Sequence, residues 1–284
     1  MVNVYEIITD QIISQLEKGV VPWHKPWNSA GVEPTNLVSK KAYRGINTFL
    51  LNAMSYSSPY WLTYNQCTEM GGHVNKGEKS SMVVFYKLNT YSQEGEGGEI
   101  TEKHIPFLRY YNVFNIEQCE LPEGKSPTMT TRPEVPIIEA CEKIVHSMPL
   151  KPEVKHGGSR ACYFPFLDYI NMPRKDFFDG SEEYYSTLFH ELTHSTGHTK
   201  RVGRKNVEGA GDWSAFGSAP YAQEELVAEM GAAFLCGHAG IVNKTVDNSA
   251  AYIGSWLRKL KNDKKMVIYA ASQAQKAADF VLNK

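Results

Sequence analysis

The chain has 284 residues, 42% of them hydrophobic and 21% charged, with a formal net charge of −1. That length holds one large domain or two ordinary ones, and the composition excludes wholesale disorder. So even a charge balance gives no bulk attraction to nucleic acid, and no run of 18 apolar residues offers a membrane span.

The chain opens with MVNVYEIITDQIISQLEKG. Ile8, Ile12, Ile13 and Leu16 recur at helical spacing, and Gly19 ends the run. Glu6, Asp10 and Glu17 interrupt it, so it lacks the basic start and unbroken apolar core of a signal peptide. A cytoplasmic protein is expected. PWHKPW follows and reads as extended loop, because Pro22 and Pro26 disfavour helix before them. YRGINTFLLNAM offers a turn at Gly45 and then an apolar helical run. WLTYNQCTEMG reads as a short helix stopped by Gly71 and Gly72. GGHVNKGEKSS is turn material. SMVVFYKL and HIPFLRYYNVFNI are β-rich partners across the QEGEGGE tip. The first half is a small α+β domain.

The stretch LPEGKSPTMTTRPEVP, residues 121–136, is rich in proline and hydroxyl side chains and poor in apolar ones. It suits a linker. The expected division is 1–122 for the first domain, 123–136 for the linker and 137–284 for the second.

In the second half, Ile137, Ile138, Cys141, Ile144, Val145 and Met148 share one helical face. RACYFPFLDYINMP reads as an edge strand, where Pro165 is tolerated. A helix is expected from near Ser181, with Asp179 and Glu182 as a capping pair. YAQEELVAEMGAAFLCG is a second strong helix, and the tail from Asn248 to Leu282 holds two more. The five cysteines are scattered and form no C-x-x-C, so buried free thiols are expected.

His190, Glu191 and His194 form H-E-x-x-H. On a helix four residues advance about 6 Å and about 400°, so both imidazoles leave one face. Two such nitrogens suit a zinc ion, one per chain, and Glu191 suits the general base that takes a proton from water. Manganese or cobalt could occupy the same donors. Chance also makes short motifs, but the apolar face of Tyr185, Leu188 and Leu192 supports a real helix here.

A third protein ligand is needed. The metzincin extension would put a histidine at position 200, which is Lys200. His198 follows a helix-ending Gly197 and suits a cap better than a ligand. The run QEELVAEM supplies Glu224, Glu225 and Glu229. Glu225 and Glu229 stand one turn apart, the spacing at which thermolysin-type zincins place a ligand and an acid that orients a histidine. Glu225 is the favoured ligand, with Glu229 or His198 as alternatives, and Glu229 is the favoured orienting acid. Tyr221 is a candidate transition-state donor.

Trp23, Trp27, Tyr43 and Trp61 interleave with Arg44 and nearby lysines, and Lys76 and Lys79 sit on the turn that follows. Aromatic faces beside cations suit single-stranded nucleic acid. The same residues also suit an ordinary core with a solvated surface. To residue 125 there are 11 Lys and Arg against 13 Asp and Glu, so no basic excess decides it.

Several runs together resemble ArdC-type antirestriction proteins: PWHKPW, PTNLVSKKAYRGINTFLL, WLTYNQ, GGHVNKGEKS, VVFY and RYYNVFNIEQ in the first half, and ACYFPFLDYINMP, FHELTHSTGH and YAQEELVAEMGAAF in the second. The resemblance covers nearly the whole chain in collinear order. It implies an N-terminal single-stranded-DNA-binding domain, a C-terminal zincin-like (gluzincin) metallopeptidase domain and protection of mobile-element DNA from restriction. His190, Glu191 and His194 carry over directly, and the EEL-x-AE run supports Glu225. A protein substrate would follow from peptidase chemistry. The alternative is a DNA-protecting binding protein whose metal site is structural. A plain peptidase whose first half binds protein is a third.

Overall fold

The computed structural model describes residues 4–18, 21–23, 33–54, 56–94, 100–127, 137–178, 180–204, 219–241 and 250–284. Trp27, Asp179, most of the expected linker and the hairpin tip at 95–99 lie outside them, as does the side chain of Tyr221.

The first half is α+β. Helix α1 (Val4–Glu17) buries the predicted face of Ile8, Ile12, Ile13 and Leu16. Strand β1 (Thr35–Asn36) precedes helix α2 (Ile46–Asn52), which starts at Gly45, a residue held at φ +60°. That conformation favours glycine. Strand β2 (Tyr60–Leu62) leads into helix α3 (Tyr64–Glu69), started by a Thr63–Gln66 capping box. WLTYNQCTEMG is therefore strand then helix, not helix throughout. Strand β3 (His73–Val74) is followed by the long hairpin of β4 (Ser81–Glu94) and β5 (Ile100–Asn115), and by β6 (Cys119–Glu120). The main sheet runs β1-β2-β5-β4, and β3 pairs with β6.

The second half is mostly helical. Helix α4 (Ile137–Ser147) precedes a three-stranded sheet of β7 (Glu153–His156), β8 (Cys162–Phe164) and β9 (Tyr169–Met172), in the order β7-β9-β8. The stretch expected as one edge strand is two strands folded back antiparallel, with Pro165 opening the turn. Proline fixes φ for a turn and cannot donate to a ladder, so the chain reverses there. Helices α5 (Ser181–Ser195), α6 (Ala219–Ala239), α7 (Ala250–Asn262) and α8 (Met266–Val281) complete the fold. The position before α5 is Gly180, which lends no side-chain cap.

One hydrophobic cluster joins both halves. Ile8, Ile12, Trp23, Phe49 and Val84 pack with Leu226, Met230, Trp256 and Ala270. Phe49 of α2 stacks on Phe234 of α6 with ring centroids 4.8 Å apart. The Asn47 side chain donates to the Val84 carbonyl and accepts from the Val84 N–H, each at 2.8 Å, tying α2 to β4. A second cluster, built on Cys141, Ile144, Tyr185, Phe189, Leu192 and Leu235, fills the space between α4, α5 and α6. Helix α6 is apolar on both sides for this reason: it lies between two cores, and Glu224, Glu225 and Glu229 meet the histidines of α5.

Contact between α5 and α6 depends on Gly231. A Cβ there would stand 2.4 Å from Thr193 Cγ2 and 2.7 Å from its hydroxyl. Glycine lets the two backbones approach, which brings the glutamates of α6 to the histidines of α5.

Candidate metal centre

His190 and His194 lie one turn apart on α5, and their Nε2 atoms stand 3.0 Å from each other. Glu225 on α6 faces both: one carboxylate oxygen is 3.5 Å from His190 Nε2 and the other 3.7 Å from His194 Nε2. One donor atom from each of these three buried residues lies within 4.8 Å of the other two, the one such grouping among the described residues. His198 is not part of it. Its Nδ1 accepts from the Lys200 N–H at 3.2 Å, as expected of a residue beyond the helix end.

Each imidazole has a carboxylate behind it. Glu229 Oε1 stands 3.3 Å from His190 Nδ1, within ion-pair range but off line for a hydrogen bond. Glu224 Oε1 lies 3.2 Å from His194 Nδ1. Burial alone would lower the His190 pKa, but Glu225 and Glu229 outweigh it and hold the ring well above its ordinary value. The donor set fits a divalent ion. Two nitrogens and a carboxylate converge in a buried space, each ring is oriented from its far side, and the surrounding acids leave negative charge for a cation to offset.

Glu191, also buried, projects toward the small sheet. Its Oε2 accepts from the Tyr163 backbone N–H of β8 at 2.8 Å. β8 lies at the sheet edge, so this N–H has no strand partner on that side. Cys162, beside it, has its thiol pKa pushed up by burial, with the charges of Glu191 and Glu225 adding. A protonated thiol is a poor ligand.

Two arginines after α5 complete the surroundings, and neither stood out in the sequence. Arg204 is buried and grips Glu224 with two nitrogens, at 2.6 and 3.0 Å. It also donates to the Thr193 carbonyl at 2.9 Å and the Thr196 hydroxyl at 2.6 Å. Burial would raise the Glu224 pKa, but Arg204 and His194 keep it below the usual range. Arg201 donates to the Ser195 carbonyl at 2.9 Å and to Asp168 at 2.6 Å, and Asp168 also accepts from the Tyr163 hydroxyl at 2.9 Å. Cations on the last carbonyls of a helix oppose its dipole favourably. They also fix β8 and α6 against the end of α5.

The residues expected to bind DNA divide differently. Trp23 and Trp61 are 0% and 2% exposed and Tyr43 is buried, so their rings are core and have no free face for a base. Aromatic residues next to cations in sequence went inward because the sheet and helices cover them. Arg44 is exposed and pairs with Asp279 of α8. Lys76 and Lys79 are exposed. Trp27 lies outside the described residues.

Residues 139–273 match a family described as zincin-like metallopeptidase, and residues 2–114 one described as the N-terminal domain of anti-restriction factor ArdC. The fold is therefore that of a zincin-like domain joined to an ArdC N-terminal domain. Two crystal structures of the antirestriction ArdC protein from the R388 plasmid are similar to this chain over almost its full length. The metal-free one has 40% identity and a TM-score of 0.74, covering 99% of this chain and 97% of that one. The Mn(II)-bound one has 38% identity and a TM-score of 0.76, covering 99% and 98%. The chain belongs to the ArdC-type antirestriction family. An uncharacterized protein, y4eC, from Sinorhizobium fredii is 35% identical over 98% of this chain and 91% of its own length. Two Escherichia coli DNA primases named TraC are each 32% identical over 98% of this chain, which spans only 27% and 20% of them.

Proposed function

We propose that this chain is an antirestriction protein of a mobile element that binds single-stranded DNA and carries a zinc-dependent peptidase site. In this reading residues 1–122 form the DNA-binding domain, 123–136 the linker and 137–284 the peptidase domain. His190, His194 and Glu225 hold one zinc ion; manganese, present in a solved relative, and cobalt suit the same donors. The observation that carries it is the convergence of these three residues beside Glu191.

A bound ion supplies Lewis acidity toward a scissile carbonyl and an attacking water. Glu224 and Glu229 fix the two rings. The Tyr163 N–H holds Glu191 Oε2, so Oε1 accepts the proton of the water and later delivers it to the leaving amine. A relative that is an antirestriction protein and two that are DNA primases support association with nucleic acid. Among the described residues no helix is long and apolar enough to cross a membrane. Action on incoming DNA fits a cytoplasmic protein.

A structural metal site beside a DNA-protecting domain is the second reading. The low exposure of His190, His194 and Glu225 favours it. Glu191→Gln separates the two, because it keeps size and can still accept from Tyr163 but cannot take a proton. Metal content and melting temperature should match the wild type. Loss of protection against restriction in cells supports proteolysis, and undiminished protection contradicts it.

A further inference from the structure

The main sheet of the first half has an open face, and it is not where the tryptophans are. Strands β4 and β5 pair Val83 with Tyr111 and Phe85 with Arg109. Side chains alternate along a strand, so these four share one face. At Val83 that face is covered by Tyr43, Leu51 and Trp61. There the cover ends: Tyr111, the partner of Val83, is 40% exposed, and in the next pair on that face Phe85 is 49% exposed and Arg109 is exposed too. The Tyr111 hydroxyl faces that of Tyr43, which accepts from Asn36 at 3.3 Å. The turn after Asn36 presents Lys40 and Lys41, both exposed.

Charge is segregated along the sequence that forms this sheet. The sequence has no Asp or Glu in 34–68, 79–93 or 103–116, yet these segments carry Lys40, Lys41, Arg44, Lys79, Lys87, Lys103 and Arg109. They supply β1 and β2 whole and β4 and β5 except for the ends next to the hairpin tip. The hairpin's acids, Glu94, Glu96, Glu99 and Glu102, are confined to 94–102 around its tip. The near-zero net charge therefore conceals a sheet whose strands are free of acids away from the hairpin tip.

We propose that the Phe85–Arg109–Tyr111 face of β4 and β5 is the platform on which single-stranded DNA lies, its phosphates led toward Lys40 and Lys41. This rests on the reading of the first half as a DNA-binding domain and names the surface that does it. Diagonal neighbours on paired strands are about 7 Å apart, room for two rings to take successive unstacked bases. Stacking on exposed rings is indifferent to base identity, and Arg109 adds both charge and a planar group. A duplex keeps its bases stacked inside and cannot use such a face.

The test is fluorescence anisotropy of a labelled oligothymidine with the full chain, across a salt series. Phe85→Ala and Tyr111→Ala should each weaken binding by about tenfold, Tyr111→Phe should restore most of it, and Arg109→Ala should reduce the salt slope by about 0.7. All three side chains replaced are exposed, and circular dichroism and thermal melts check that the variants are folded. If the wild type binds but all variants match it, the platform is elsewhere and only this proposal falls. If the variants bind DNA normally yet lose protection from restriction, the face docks a protein and the proposal is again overturned. If the wild type binds no single strand, the DNA-binding reading itself fails.

Discussion

Trp23 meets Trp256 edge to face, with ring centroids 5.2 Å apart, and so joins the first half of the chain to α7 in the second. Both rings are fully buried in the cluster that also holds α1, α2 and α6. Trp23→Ala should cost about 3–5 kcal/mol in urea unfolding, because a large buried ring leaves a cavity. Trp23→Phe should recover much of that. A Trp23→Ala protein with intact stability and lost DNA affinity would return this residue to a binding role.

Arg204 ion-pairs with Glu224 at 2.6 Å, and both are buried. Removing it leaves a carboxylate without charge compensation behind His194. Arg204→Leu should destabilise the fold by about 3 kcal/mol and weaken metal binding. Second-layer losses of this kind reduce metal affinity by about 10- to 100-fold. Arg204→Lys should recover charge but not the two-pronged geometry, giving an intermediate affinity. Calorimetric zinc titration of the three proteins measures this, and equal affinity would refute it.

Gly231 and Thr193 set the distance between α5 and α6. Gly231→Ala should destabilise by about 1–3 kcal/mol through overpacking and loosen the metal site. Thr193→Ala removes the two atoms that a new Cβ would meet first. The double variant should therefore be more stable than the two single effects predict, by about 1 kcal/mol. Simple additivity would show that the helices do not meet there.

Asp168 adopts φ +49°, which asparagine tolerates, so Asp168→Asn removes charge without straining the turn. Burial would raise this carboxyl's pKa, but Arg201 and Tyr163 lower it overall. A lowered folded-state pKa gives stability that is present above the unfolded value near pH 4 and fades as pH falls through the folded value. The variant should be less stable by about 1 kcal/mol at pH 7, allowing for partial exposure. The difference should close below about pH 4. A pH-independent difference would mean the charge is not what matters.

The placement of the central residues was legible where it was local. H-E-x-x-H needs only helical spacing, and Glu225 and Glu229 needed only a second helix with its acids one turn apart. Glu224 was not assignable, because which of two adjacent glutamates faces His194 depends on the close approach that Gly231 permits. Arg204 was hidden for another reason: it sits in an aperiodic segment 20 residues from its partner. The aromatics misled because tryptophan and lysine alternate in sequence both at cores and at platforms. Phe85 and Tyr111 were in plain view, but only the end of the cover over Val83 distinguishes them from core. The β8–β9 turn was missed because one proline fits both an edge strand and a reversal.

The central claim is that His190, His194 and Glu225 together hold one divalent ion. Zinc titration of metal-stripped wild type, Glu225→Gln and Glu229→Gln, with metal content measured on each, tests it most directly. The account predicts one ion per chain in the wild type, a loss of about 100-fold or more in affinity for Glu225→Gln, and about 10-fold for Glu229→Gln. Zinc bound as tightly by Glu225→Gln as by the wild type would contradict it.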